Sequence, residues 1–290
     1  MLPPINPKAK RSISIIISIS VQNKNIIAID RDMSSLRHPL FLPFLLIVLL
    51  YRCCWTAQAI SNTFVFRSCY YDSPVTPGSQ VAKNIRRLVP ELVSKAALNG
   101  HVVTTYGSNK YKVYGSAQCR GDISNADCGK CVAGAVQRLA KECPNLGDVR
   151  IWYSYCFVRY SVENFLGKVD TGFGVSDSSK QNVTDPVTFN KTLGGLFTKI
   201  ESQAVMPGNH RLFGTGQVKL SKSTTLYALV QCTEDLSPAN CTACLKFSVA
   251  FLPELCGNHT GCYWTCSTCF VRYDLKKFFF PLNTTIIVSS

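Results

Sequence analysis

Apolar positions at helical spacing open each half of this chain. In "QVAKNIRRLVPELVSKAAL" the residues Val81, Ile85, Leu88, Leu92 and Ala96 fall on one face, which predicts an amphipathic helix closed by Gly100. "DPVTFNKTLGGLFTKIESQA" predicts a second, with Asp185 as N-cap and Pro186 at the first helical position. Each is followed by a short β-prone run, "KVYGSAQC" or "TTLYALVQC", and then by a helix that contains a CxxC, "NADCGKCVAGAVQRLAKEC" or "PANCTACLKFSVAFLPEL". A long alternating strand ends each half, "VRIWYSYCFVRYS" and "CYWTCSTCFVRYD". Two helices on one face of an antiparallel sheet, made twice, is an α+β design.

The two halves are copies. Cys119 and Cys232, Cys128 and Cys241, Cys131 and Cys244, Cys143 and Cys256, and Cys156 and Cys269 each lie 113 residues apart, and "CFVRY" recurs at 156–160 and 269–273. A period this long is a domain duplication rather than a solenoid. Two domains are expected, 62–165 and 171–278, followed by a short tail at 279–290.

The N-terminal pattern sets the compartment. Arg37 and His38 precede an apolar run from Leu40 to Tyr51 and then Ala57-Gln58-Ala59. That is the order of a secretory signal peptide with cleavage after Ala59. The run is too short for a spanning helix, which needs about 20 residues. The preface before Met33 is long for a signal, so Met33 is the expected start. A basic organelle transit peptide is the other reading of residues 1–32. The tail "FFFPLNTTIIVSS" lacks the long apolar run of a lipid-anchor signal. The mature chain is therefore expected to be secreted, extracellular and without a transmembrane anchor.

Fifteen cysteines among 290 residues then admit three chemistries. CxxC pairs can bind zinc, can work as a redox centre, or can belong to a disulfide framework. In a secreted chain thiols oxidise, and Cys119 and Cys232 offer the CxxC cysteines other partners, so a disulfide framework is expected.

The spacing C-x8-C-x2-C, with two further cysteines after 12 and 13 residues, strongly resembles the plant DUF26 domain, also called the ginkbilobin-homologous or Gnk2-like domain. Two copies behind a signal peptide resemble the cysteine-rich repeat secretory proteins, over roughly 62–278. The resemblance implies pairing of Cys69 with Cys143, Cys119 with Cys128, Cys131 with Cys156, Cys232 with Cys241, and Cys244 with Cys269. Cys256 lacks a counterpart of Cys69, and the second copy adds Cys262 and Cys266. Cys256 is expected to pair with one of these. Cys53 and Cys54 precede Ala59, so an odd number of cysteines remains after it. The leftover is either a buried thiol or a cross-link to a second copy, giving a homodimer.

The resemblance also implies a mannose site built from an Asn after the first cysteine, an Arg six residues before the last and a Glu five residues after it. In the first copy these positions hold Tyr70, Arg150 and Ser161, and in the second the last two hold Tyr263 and Asp274. Only Arg150 is kept in the first copy, where Tyr70 could stack on a sugar face. Without its carboxylate, Arg150 reads as an exposed strand arginine. A sugar site is thus the second reading, behind an interaction protein acting in plant defence or stress.

Sequons lie at Asn182, Asn190, Asn258 and Asn283, with a fifth at Asn240 less suited because it begins a helix. No HExxH, GxSxG or phosphate-binding loop is present. Of His101, His210 and His259, only His259, in "CGNHTGC", lies near cysteines that could act as nucleophiles. No catalytic constellation, cofactor or metal is expected. A thiol-disulfide role through "CSTC" or the leftover thiol is the third reading. The net charge is +14, but the basic residues are scattered, and no Lys/Arg block or aromatic–basic stripe points to nucleic acid. Such a charge favours weak contact with anionic surfaces. The expected partner is an extracellular protein or a cell-wall carbohydrate.

Overall fold

The computed structural model of this chain describes residues 62–288. The signal segment and the Met33 start lie outside them. The first copy runs β1 (Phe64–Cys69), α1 (Gln80–Asn99), β2 (His101–Tyr106), β3 (Val113–Cys119), α2 (Asn125–Glu142), β4 (Asp148–Tyr153) and β5 (Cys156–Ser161). Its five strands form an antiparallel sheet in the order β1-β4-β5-β3-β2. The second copy repeats the plan with β6 (Gly174–Ser178), α3 (Pro186–Ala204), β7 (Phe213–Lys219), β8 (Thr225–Cys232), α4 (Pro238–Cys256), β9 (Gly261–Cys266) and β10 (Cys269–Asp274). A last strand, β11 (Ile286–Val288), pairs with β7 in parallel, so the second sheet reads β11-β7-β8-β10-β9-β6.

Local chemistry explains the helix limits. Ser79, Ser124, Asp185 and Ser237 each accept a backbone N–H of the first turn, and Gly100 ends α1 at φ 81°, where a side chain would be strained. Leu88, Leu92 and Ala96 of α1 are fully buried, while Val81 and Ile85 pack at the margin. Gly115 on β3 permits that approach, since a Cβ there would lie 2.5 Å from a Leu88 methyl. Leu196, Phe197 and Ile200 of α3 do the same work in the second core.

Two expectations change. The long terminal strand of each copy is a hairpin, β4–β5 and β9–β10, turning at Ser154-Tyr155 and Ser267-Thr268. Strand-prone residues continue through so tight a turn with no glycine or proline to mark it, so the sequence hides the turn. The stretch after 278 also does more than trail. Phe278 and Phe279 are buried against Phe213 and Leu229, on the sheet face that carries no helix, before β11 joins the edge.

Candidate functional site

The disulfides connect α2 and α4, the second helix of each copy, to the strands beneath them. In the first copy Cys119–Cys128 and Cys131–Cys156 fasten successive turns of α2 to β3 and β5, and Cys69–Cys143 closes the far end of α2 onto β1. Cys232–Cys241 and Cys244–Cys269 repeat the first two in the second copy. There Cys256 bonds to Cys262 on β9. Among the described residues the free cysteine is Cys266.

Cys266 is 3% exposed, its sulfur 3.6 Å from that of Cys269 and 3.9 Å from that of Cys244. A cross-link between two copies through this thiol is therefore excluded by its burial. Burial also pushes the thiol's pKa up, offset only in part by hydrogen bonds from Thr268 and Cys269. The neutral thiol beside the disulfide is a poor nucleophile, which argues against thiol-disulfide activity. Cys266 occupies the place of Tyr153 in the first copy, a core position. Nothing in the spacing marked it as the leftover. Three sulfurs this close could hold a soft metal only if the disulfide were reduced.

Arg150 is not an exposed strand arginine. It is 6% exposed and lies in a network that joins the copies. Its guanidinium meets Asp170 at 2.8 Å and Asp148 at 3.6 Å, donates to the Ser267 hydroxyl at 2.6 Å, and lies 4.6 Å from the centre of the Tyr70 ring. Arg159 shares Asp170 at 2.9 Å and Asp148 at 3.8 Å. Desolvation and the neighbouring Arg150 charge lower the Arg159 pKa. The carboxylate missing at Ser161 is thus replaced from elsewhere, by Asp170 and Asp148. They hold Arg150 inside the seam, and Tyr70 stacks on Arg150.

Part of the seam is reciprocal. Gln118 accepts the Glu234 N–H at 3.0 Å, and Gln231 accepts the Gly121 N–H at 3.1 Å. Both the two glutamines and the two N–H groups are separated by the 113-residue repeat. The copies therefore face each other about a local two-fold. Outside that relation, His101 pairs with Glu234 at 2.7 Å, and this hydrogen bond raises the His101 pKa. Trp152 donates to the Cys266 carbonyl at 3.1 Å. A cleft of about 380 Å³ opens on the seam, walled by Trp152 and Phe157 on one side and Tyr263, Phe270 and Arg272 on the other. The Thr233 hydroxyl, also lining it, is buried with no hydrogen-bond partner.

Among the described residues, the contacts of His259 and His101 are not those of a catalytic pair. His259 neighbours Cys256 and Cys262, which are bonded to each other, and His101 is held by Glu234. The side chains of Asn182, Asn190, Asn258 and Asn283 are exposed, whereas Asn240 donates its amide to the Gly167 carbonyl at 3.0 Å.

The family described as salt stress response/antifungal matches residues 68–163 and 175–276, one match on each sheet. The chain belongs to this family. Within it, the chain is 47% identical over 223 residues to cysteine-rich repeat secretory protein 55 of Arabidopsis thaliana, covering 76% of this chain and 84% of the relative. It is 31% identical to an antimicrobial ginkbilobin-2-like protein of Castanea crenata, covering 74% and 88%. Among solved structures, the tandem DUF26 ectodomain of the Arabidopsis receptor-like protein PDLP8 superposes with a TM-score of 0.65 at 26% identity, over 74% of this chain and 98% of that one. This chain is thus a tandem DUF26 protein with an α+β fold and six disulfides among its described residues. None of its described helices is long and apolar enough to cross a membrane.

Proposed function

We propose that this chain is a secreted, non-enzymatic binding module of the extracellular space, acting in plant defence or stress responses through two docked domains, 62–165 and 171–278. The burial of Arg150 carries the reading. The arginine of the family's mannose geometry is buried and held by Asp170, Asp148 and Ser267, so it presents almost no surface to a sugar. A tandem seam occupies the position where a single domain would expose a ligand site. The names of its relatives, secretory and antimicrobial, support the compartment and the biological setting.

The cleft on the seam favours one second reading. Its aromatic walls and polar rim suit a neutral sugar bound without Arg150. An array of neutral glycans, probed with the secreted protein, separates the two. Silence across mannans and other neutral glycans is the expected outcome. Mannose binding abolished by Phe157→Ala or Tyr263→Ala, with the thermal transition unchanged, would establish the lectin reading instead.

A further inference from the structure

Folding gathers charge that the sequence scatters. Between Asp72 and Glu91, and again between Glu91 and Asp122, the chain has no acidic residue. Lys83, Arg86 and Arg87 occupy one exposed face of α1 at i, i+3 and i+4. Lys110 and Lys112 lie in the link between β2 and β3. Asn84 joins the two groups, donating from α1 to the Tyr111 carbonyl at 2.7 Å. None of Lys83, Arg86, Lys110 and Lys112 has a carboxylate partner among the described residues, whereas the neighbouring Lys95 pairs with Glu91.

Aromatic rings alternate with these charges. Arg87 lies 5.6 Å from the centre of the Tyr106 ring and donates to its hydroxyl at 2.7 Å. Lys110 lies 5.3 Å from the Tyr111 ring, and Lys112 lies 5.3 Å from the Tyr114 ring. Three cation–ring pairs thus surround one hairpin end, in reach of bulk water. The matching hairpin of the second domain, "KLSKSTTLY", has no such pair.

We propose that the β2–β3 hairpin end and the facing turns of α1 bind a linear polysaccharide that carries carboxylates, a polyuronate. Each unit of such a polymer offers a carboxylate for a cation and a C–H ring face for a tyrosine, which matches the alternation of the surface. An anionic lipid surface would call for an apolar side chain to insert, and the hairpin tip, Gly107 to Lys110, is polar. The sequons at Asn182, Asn190, Asn258 and Asn283 all lie outside the first domain, so glycans there leave this end bare. The proposal rests on the extracellular reading above and names a partner class for it.

The test uses the whole secreted protein with polygalacturonate, its fully methyl-esterified form, and phosphatidylserine vesicles. Binding to polygalacturonate is expected to weaken steeply with salt and to vanish on esterification. Lys110→Gln with Lys112→Gln should lower affinity about tenfold or more, and Tyr111→Ala should lower it at a salt concentration that screens charge. Lys180→Gln with Lys276→Gln removes the same charge from the exposed surface of the second domain and should leave binding intact. Equal loss in both double variants, binding to vesicles alone, or no binding to polygalacturonate would each overturn the proposal. Such a failure leaves the extracellular reading standing, because the neutral-glycan array tests that reading with no charged polymer present.

Discussion

Asp170 is a single carboxylate held against two buried guanidiniums, Arg150 and Arg159. Removing it leaves two charges sharing only the more distant Asp148. Breaking one side of a buried pair costs about 3–5 kcal/mol, so Asp170→Ala should lower the unfolding free energy by about that much in a denaturant titration. The mutation should also loosen the seam, because the Asp170 backbone exchanges hydrogen bonds with the Thr268 hydroxyl of the second copy. Cys266 makes the opposite case, a reactive group silenced by its surroundings. Alkylation mapped by mass spectrometry should find it unmodified in the native protein and fully modified in denaturant. Modification under native conditions would restore the thiol reading. Neither environment was legible in the sequence. Asp170 lies in the connection between the copies, and its partners are fixed only when the domains dock. Cys266 is one of three extra or unmatched cysteines, and only the approach of Cys262 to the end of α4 decides which remains free.

At the scale of elements the sequence was more informative. The periodicity of α1 and α3 and the CxxC of α2 and α4 are written locally, in side chains that meet within a few residues. The turns inside the β4–β5 and β9–β10 hairpins were not, because Ser154-Tyr155 and Ser267-Thr268 carry no glycine or proline to mark them. The edge strands β1 and β6 were missed for a related reason. They exist through pairing with β4 and β9, which the strand's own alternation does not announce. The basic hairpin end is an intermediate case. "KYKVY" shows the alternation of charge and ring, but the contribution of α1 depends on the hydrogen bond from Asn84.

On the scale of the whole molecule, the seam contains a titratable contact. His101 has a pKa held above its ordinary value by its hydrogen bond to Glu234, against the opposing effect of partial burial. A raised histidine pKa contributes stability that is fully present below about pH 6.5 and is lost as pH rises through the folded-state value. The thermal transition should therefore fall as pH rises through that window, and Glu234→Gln should flatten the dependence. An unchanged slope in the variant would assign the pH dependence to other groups.

The reciprocal glutamine contacts carry a consequence for how such a chain could arise. A surface that docks onto its own duplicate about a two-fold is self-complementary, the property that defines an isologous dimer. Joining the two protomers in one polypeptide replaces a concentration-dependent association with an effective concentration that, for a short tether, is on the order of millimolar. Assembly then no longer depends on protein concentration. Each half is also free to differ: the second has no counterpart of Cys69 and carries sequons, while the first presents a bare, basic hairpin.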